Sequence, residues 1–402
     1  KELFHILRVE GNKATHQFRT QHREAIRGLK VARSLAVWFH RAFADPDFKP
    51  SVFRPPEDPS RELRDLQAEM ECLRGELASA TEQADAQRRL AELETREKQE
   101  YAELEAKETA FDGVVKTGRT HLQDATPIRL GQEFSGYASQ MTHGVERIEG
   151  IRASLSELAI GGTAVGTGLN THPDFPEAVV ERLTEATGVP FREADDHFEA
   201  QAGRDALVEA SGALKTVAVS LMKIANDLRW LSCGPRTGFD EIDLPTVQPA
   251  GSSIMPGKMN PVVPEIVCQV AAQVIGNDAT ITVGGQSGNF EINVMKPVMA
   301  RNLLESIRLL TEGCALLAEK CVSGIEANET VCERNAELSL SLVTALAPHV
   351  GYDEASEIAA EALTEERTIE QVALDRGVLD EAALERILDP AGMTERGVPG
   401  PE

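Results

Sequence analysis

Apolar residues along this chain recur mainly at spacings of three and four, the period of a helix with one buried face. Leu3, Ile6 and Leu7, then Ile26, Leu29, Val31, Leu35 and Ala36 with Trp38 and Phe39, predict a small helical segment over residues 1–44. Residues 45–59 hold five prolines and no periodicity, which predicts a Pro-rich linker. Ser60 can cap a helix that starts after it. From Leu63 the series Leu63, Leu66, Met70, Leu73, Leu77 alternates threes and fours, a heptad seam that resumes at Leu90, Leu93 and Leu104. Residues 60–110 therefore read as a coiled-coil-like helix, and a solvated helix or a hairpin of two helices fits the same pattern. Glu97 and Glu100 fall on that seam where aliphatics belong, so a helix buried along it carries two carboxylates inward.

Longer periodic stretches come next: Gly131 to Ile160, Asp205 to Trp230, Pro264 to Ile275 and Val298 to Leu317. Helices of such length need neighbours to cover their apolar faces, which predicts an all-α fold built on a long bundle. The last sixty residues predict shorter helices and a small C-terminal domain. Composition agrees, because 42% hydrophobic with only 4% aromatic residues means an aliphatic core of helix on helix. No apolar run is expected to reach a membrane span, and the first thirty residues are too charged for a secretory signal, so the reading is a cytoplasmic chain with no membrane partner. Six cysteines without a CxxC pair or histidines at ligand spacing suggest neither a disulfide framework nor a metal site. The net charge of −24 argues against general nucleic-acid binding. Residues 1–50 carry ten Lys/Arg against five Asp/Glu, a local +5 that leaves −29 for the rest, so any nucleic-acid contact belongs to residues 1–58.

The chemistry concentrates between Gly251 and Glu265, Gly-Ser-Ser-Ile-Met-Pro-Gly-Lys-Met-Asn-Pro-Val-Val-Pro-Glu. Two hydroxyls, a lysine, an amide and a carboxylate stand together on a loop shaped by glycine and proline. A surface turn is the default reading of such a mixture. Here, however, Lys258 and Asn260 could grip a carboxylate, one by charge and one by hydrogen bonding. This run resembles the signature of the fumarase/aspartase superfamily. The string from Phe111 to Pro127, FDGVVKTGRTHLQDATP, resembles a second signature, that of the class II fumarases, and the resemblance runs from Phe111 over 292 residues to the C-terminus.

The resemblance implies a fumarase-type central bundle over residues 111–345, a small helical C-terminal domain over 346–402, a homotetramer and no cofactor. It implies interconversion of fumarate and (S)-malate in the tricarboxylic acid cycle, through a carbanion whose charge spreads into a substrate carboxylate. Ser252 would be the base. His121 would handle the water side, oriented by Glu265, while Thr120, Ser253, Lys258, Met259 and Asn260 would bind the dicarboxylate. Gly257 in Met255-Pro-Gly-Lys258 favours fumarase, since aspartate ammonia-lyases usually have alanine there. The family's Ser-Gly-Thr and Ser-Ser-Asn segments do not occur in residues 1–110. The chain therefore resembles the C-terminal two thirds of a fumarase joined to an unrelated helical N-terminus, and a non-catalytic oligomeric remnant is the rival reading. Residues 1–50, through Gly11, Asn12, Ala14 and His16, resemble a small helical domain found ahead of helicase and restriction-subunit regions.

Overall fold

The computed structural model describes residues 22–54, 59–246 and 251–399. The Gly11 to His16 stretch lies outside them, as do the side chains of the seam residues Leu63 to Leu77. The chain divides into two compact units, Lys1–Ala78 and Ser79–Glu402. In the first, α1 spans His22–Phe43. Part of the Pro-rich stretch folds back on it: Arg33 donates to the Ser51 carbonyl, Arg41 Nε to that of Phe48 at 2.9 Å, and the His40 and Phe48 rings lie 4.4 Å apart.

The helix α2 runs Pro59–Ala110, and its residues from Ser79 onward belong to the second unit. Then come the strands β1 (Val115–Thr120) and β2 (Gln123–Arg129), the helix α3 (Leu130–Leu155) and the short β3 (Glu157–Leu158). They are followed by α4 (Phe175–Thr187), β4 (Arg192–Glu193), α5 (His197–Ala202) and α6 (Asp205–Leu231). Next are β5 (Ile242–Asp243), α7 (Val262–Gly285), α8 (Lys296–Lys320) and β6 (Glu326–Ala327). The chain closes with α9 (Glu329–Leu338), α10 (Val343–Val350), α11 (Tyr352–Glu365), α12 (Ile369–Arg376) and α13 (Glu381–Ile387). Strands among the described residues pair only two by two: β1 with β2 and β5 with β6 antiparallel, β3 with β4 parallel. The fold is all-α, as its periodicity predicts.

One core joins α3, α6, α7 and α8 through residues such as Met141, Leu214, Val274 and Leu310, and α2 enters it with Leu90, Leu93 and Leu104. Each such side chain contributes about 1.5–3 kcal/mol by leaving water. From Ala80 onward the seam of α2 is thus buried in the chain's own bundle rather than turned toward a coiled-coil partner. Glu97 and Glu100 go in with it. Both are 0% exposed, and none of their four carboxylate oxygens has a hydrogen-bond partner. Gly144 of α3 leaves room for the Glu97 carboxylate, while the Cys314 thiol of α8 is turned toward Glu100. Burial, with Glu100 and Glu94 adding repulsion, pushes the Glu97 carboxyl up to about 8. Burial raises Glu100 to about 8 as well, with Cys314 offsetting a part. A separate cluster, including Leu346, Ile358, Val372 and Leu384, holds α10 to α13 together.

The helix α7 corrects one expectation. It is long and apolar enough to cross a membrane by length and composition, with about a third of its most apolar window buried within the chain. Its middle nevertheless carries Asn277 and Asp278, both buried and both satisfied by protein groups. Asn277 donates to Ser306 Oγ at 3.1 Å, while Asp278 accepts from Ser211 Oγ at 2.8 Å and Lys215 Nζ at 2.6 Å. Such pairing suits a helix inside a protein bundle.

Candidate active site

The Thr120-His121 pair sits at the tip of the β1–β2 hairpin, and both residues are exposed. The two-residue turn places His121 at φ 57° and Leu122 at φ 60°. Both centres of such a turn need positive φ, normally supplied by Asn-Gly, so the imidazole is presented from a strained backbone. Gly118 lets the strands close at a register shift: a Cβ there would stand 2.4 Å from the Thr126 carbonyl oxygen. The first strand of the hairpin is fixed by charge. Arg119 donates twice to Glu241, at 2.8 Å each, and the Lys116 ammonium lies 3.3 Å from Glu241 and 3.0 Å from Glu133. Glu241 is fully buried, and so is Lys116. Burial alone would lower the Arg119 pKa, but the hydrogen bonds and charge of Glu241 outweigh it and raise the value. Sequence reasoning missed this anchor, because Arg119 and Glu241 are 122 positions apart.

The Gly251–Pro261 loop is a narrow hairpin of its own. Gly251 bridges Met259, the Ser252 amide donates to the Lys258 carbonyl at 3.0 Å, and Gly257 turns the chain at φ 82°. Within it the Ser252 hydroxyl oxygen accepts from the backbone N–H of Ile254 at 3.3 Å and of Met255 at 3.0 Å. Two amides aimed at one hydroxyl oxygen favour its ionised form. No hydrogen bond from the Lys258 ammonium to Ser252 is seen.

Lys258, Met259, Asn260 and Glu265 meet at a cleft of about 460 Å³ whose other walls include Asn226, Arg229, Trp230 and Cys233. Ser252 and Ser253 stand nearby on the same loop. Arg229 donates to Asn226 Oδ1 at 2.9 Å, yet its buried Nε has no partner. That orphaned donor belongs to a residue lining the same cleft as Lys258, where it could meet an anion, and only the fold reveals it. Neither Thr120 nor His121 lines the cleft, and no hydrogen bond or ion pair among the described residues links His121 to Glu265. The hairpin approaches the cleft's outer wall instead: Arg119 lies over the Phe239 ring at 4.1 Å, and Phe239 is 5.9 Å from Trp230. Among the described residues no group of three or more His, Cys, Asp or Glu is placed to hold a metal ion.

A family model described as lyase matches residues 83–276, and one described as fumarase C C-terminus matches residues 342–395. The class II fumarase of Schistosoma mansoni has the same fold with a TM-score of 0.72, at 36% identity over 79% of this chain and 68% of that one. This chain belongs to the class II fumarase family. A fumarate lyase:delta crystallin of Brucella melitensis superposes with a TM-score of 0.75 at 45% identity, covering 79% of this chain and 69% of its own. The fumarate hydratase class II of Halobacterium salinarum is 59% identical over 297 residues, 74% of this chain and 63% of the relative's length. The lyase match reaches back to residue 83, well before Phe111, and so takes in the part of α2 that enters the core.

Proposed function

We propose that this chain carries the chemistry of a fumarate hydratase, adding water to fumarate to give (S)-malate and reversing that step. The observation behind this reading is the Ser252 hydroxyl, cradled by two backbone amides on the loop that presents Lys258 and Asn260 to a cleft. Identity of 59% to a fumarate hydratase supports the substrate, and Gly257 disfavours the aspartate ammonia-lyase reading. In the dehydration direction the Ser252 alkoxide takes a proton from the carbon beside a carboxylate. The electron pair moves into that carboxylate, where Lys258 and Asn260 meet the growing charge. The neighbouring C–O bond then breaks, and His121 delivers the proton with which hydroxide leaves as water. Thr120, Ser253 and Met259 hold the remainder of the dicarboxylate.

No hydrogen bond or ion pair joins His121 to Glu265 among the described residues, and His121 does not line the cleft, so their pairing, with the carboxylate fixing the imidazole tautomer, is made between copies. A homotetramer supplies that arrangement. The test follows fumarate absorbance with the full chain. Ser252→Ala and His121→Asn should each lower kcat/KM by about 100-fold or more. Hydration that persists in the double variant would sink the assignment.

A further inference from the structure

A second cavity, of about 380 Å³, lies at the other end of α6 from the cleft. Arg229 and Arg204 bracket this helix, and at 1.5 Å per residue they stand about 40 Å apart. The cavity is closed partly by α2, through Glu82, Gln83 and Ala86. Leu207, Leu303, Leu304 and Ala300 give it an apolar floor.

Arg204 is its unusual member. It precedes α6 in a left-handed conformation, φ 77°, which a non-glycine residue adopts only when its surroundings impose it. Its guanidinium makes no ion pair or hydrogen bond among the described residues, and its Nε is buried without a partner. Burial lowers its pKa, and Glu199 offsets that only in part. The other cations around the cavity are occupied: Arg192 is paired with Glu157 and Asp195, and Lys296 is engaged by a neighbouring group. A partly buried guanidinium left open beside apolar walls is an incomplete structure, and a bidentate carboxylate is what completes it. The N-terminus of α6 adds its positive end to the same place.

We propose that this cavity binds a small monocarboxylate, its carboxylate on Arg204 and its apolar body against Leu207, Leu303 and Leu304. One charge rather than two follows from the rim, where Glu82, Asp205 and Glu209 are exposed and would repel a second carboxylate. This ligand class differs from that of the cleft at the far end of α6, and the inference does not rest on the activity proposed for that cleft.

Calorimetric titration of the full chain with benzoate tests it, with succinate as the doubly charged comparison. Benzoate should bind saturably and more tightly than succinate. Arg204→Gln should weaken benzoate by about tenfold or more, and Arg204→Lys, which keeps the charge without the fork, should fall between. Ala300→Leu narrows the cavity without touching any charge and should also abolish binding, which separates loss of the site from a fault at Arg204. Lys258→Ala should leave benzoate binding intact. Absence of saturable binding, affinity that Arg204→Gln leaves unchanged, or competition by fumarate would each overturn the proposal.

Discussion

Glu241 anchors the strand that leads to His121. It neutralises two cations from one strand while fully buried, and its own position after α6 ties the hairpin to the bundle. Glu241→Gln leaves Arg119 facing an uncharged amide, while Lys116 keeps only Glu133. We expect a loss of about 3–5 kcal/mol, read as a fall in denaturation midpoint, because an uncompensated buried charge is worse than no charge. The candidate catalytic side chains are legible in the sequence, since Ser252, Lys258 and His121 fall in contiguous runs. Their supports are not. Lys116 reads as a solvent residue until Glu133 and Glu241 are seen around it, and Arg229 reads as the polar edge of a helix until its Nε is found enclosed. Pairing across long sequence separations leaves no mark in composition or period.

At the scale of elements, the four long helices after residue 130 follow directly from their apolar spacing. The β1–β2 hairpin does not, because its buried positions include Lys116, Thr117 and Gly118, which show no hydrophobic alternation. In α2 the seam gave both the helix and its defect. An unfolded Glu gives up its proton near pH 4.5, while Glu97 and Glu100 hold theirs to about 8. Between these values the folded chain binds more protons than the unfolded one. Stability is therefore fully present below that window and falls as pH rises through it, by about 1.4 kcal/mol per pH unit at each site before their mutual coupling. Glu97→Leu with Glu100→Leu should remove this slope, raising the melting temperature more at pH 8 than at pH 5. Equal gains at both pH values would mean that the carboxyls are not the cause.

Across the whole molecule, the apolar surface of α7 exceeds what one chain covers. Ile266, Ile275 and Val283 are exposed on it, and Val219 is exposed on α6. Patches of this kind mark association surfaces. We expect the chain to sediment as an oligomer, and Ile275→Glu with Val283→Glu to dissociate it and abolish hydration together. Mixing is a sharper probe. Ser252→Ala chains and His121→Asn chains, each inactive alone, should regain activity when unfolded and refolded together. If each site drew Ser252 and His121 from one chain, the mixture would remain inactive.

The two unpartnered glutamates of α2 also make folding an exchange with the buffer. Near pH 6.5 each folded chain holds about two protons that its unfolded form has released. Unfolding therefore delivers them to whatever base is dissolved alongside. The heat of unfolding measured in Tris, which binds protons exothermically, should be smaller than in phosphate at the same pH and temperature. The difference between the two calorimetric enthalpies counts those protons directly, and the double leucine variant should bring the two values together.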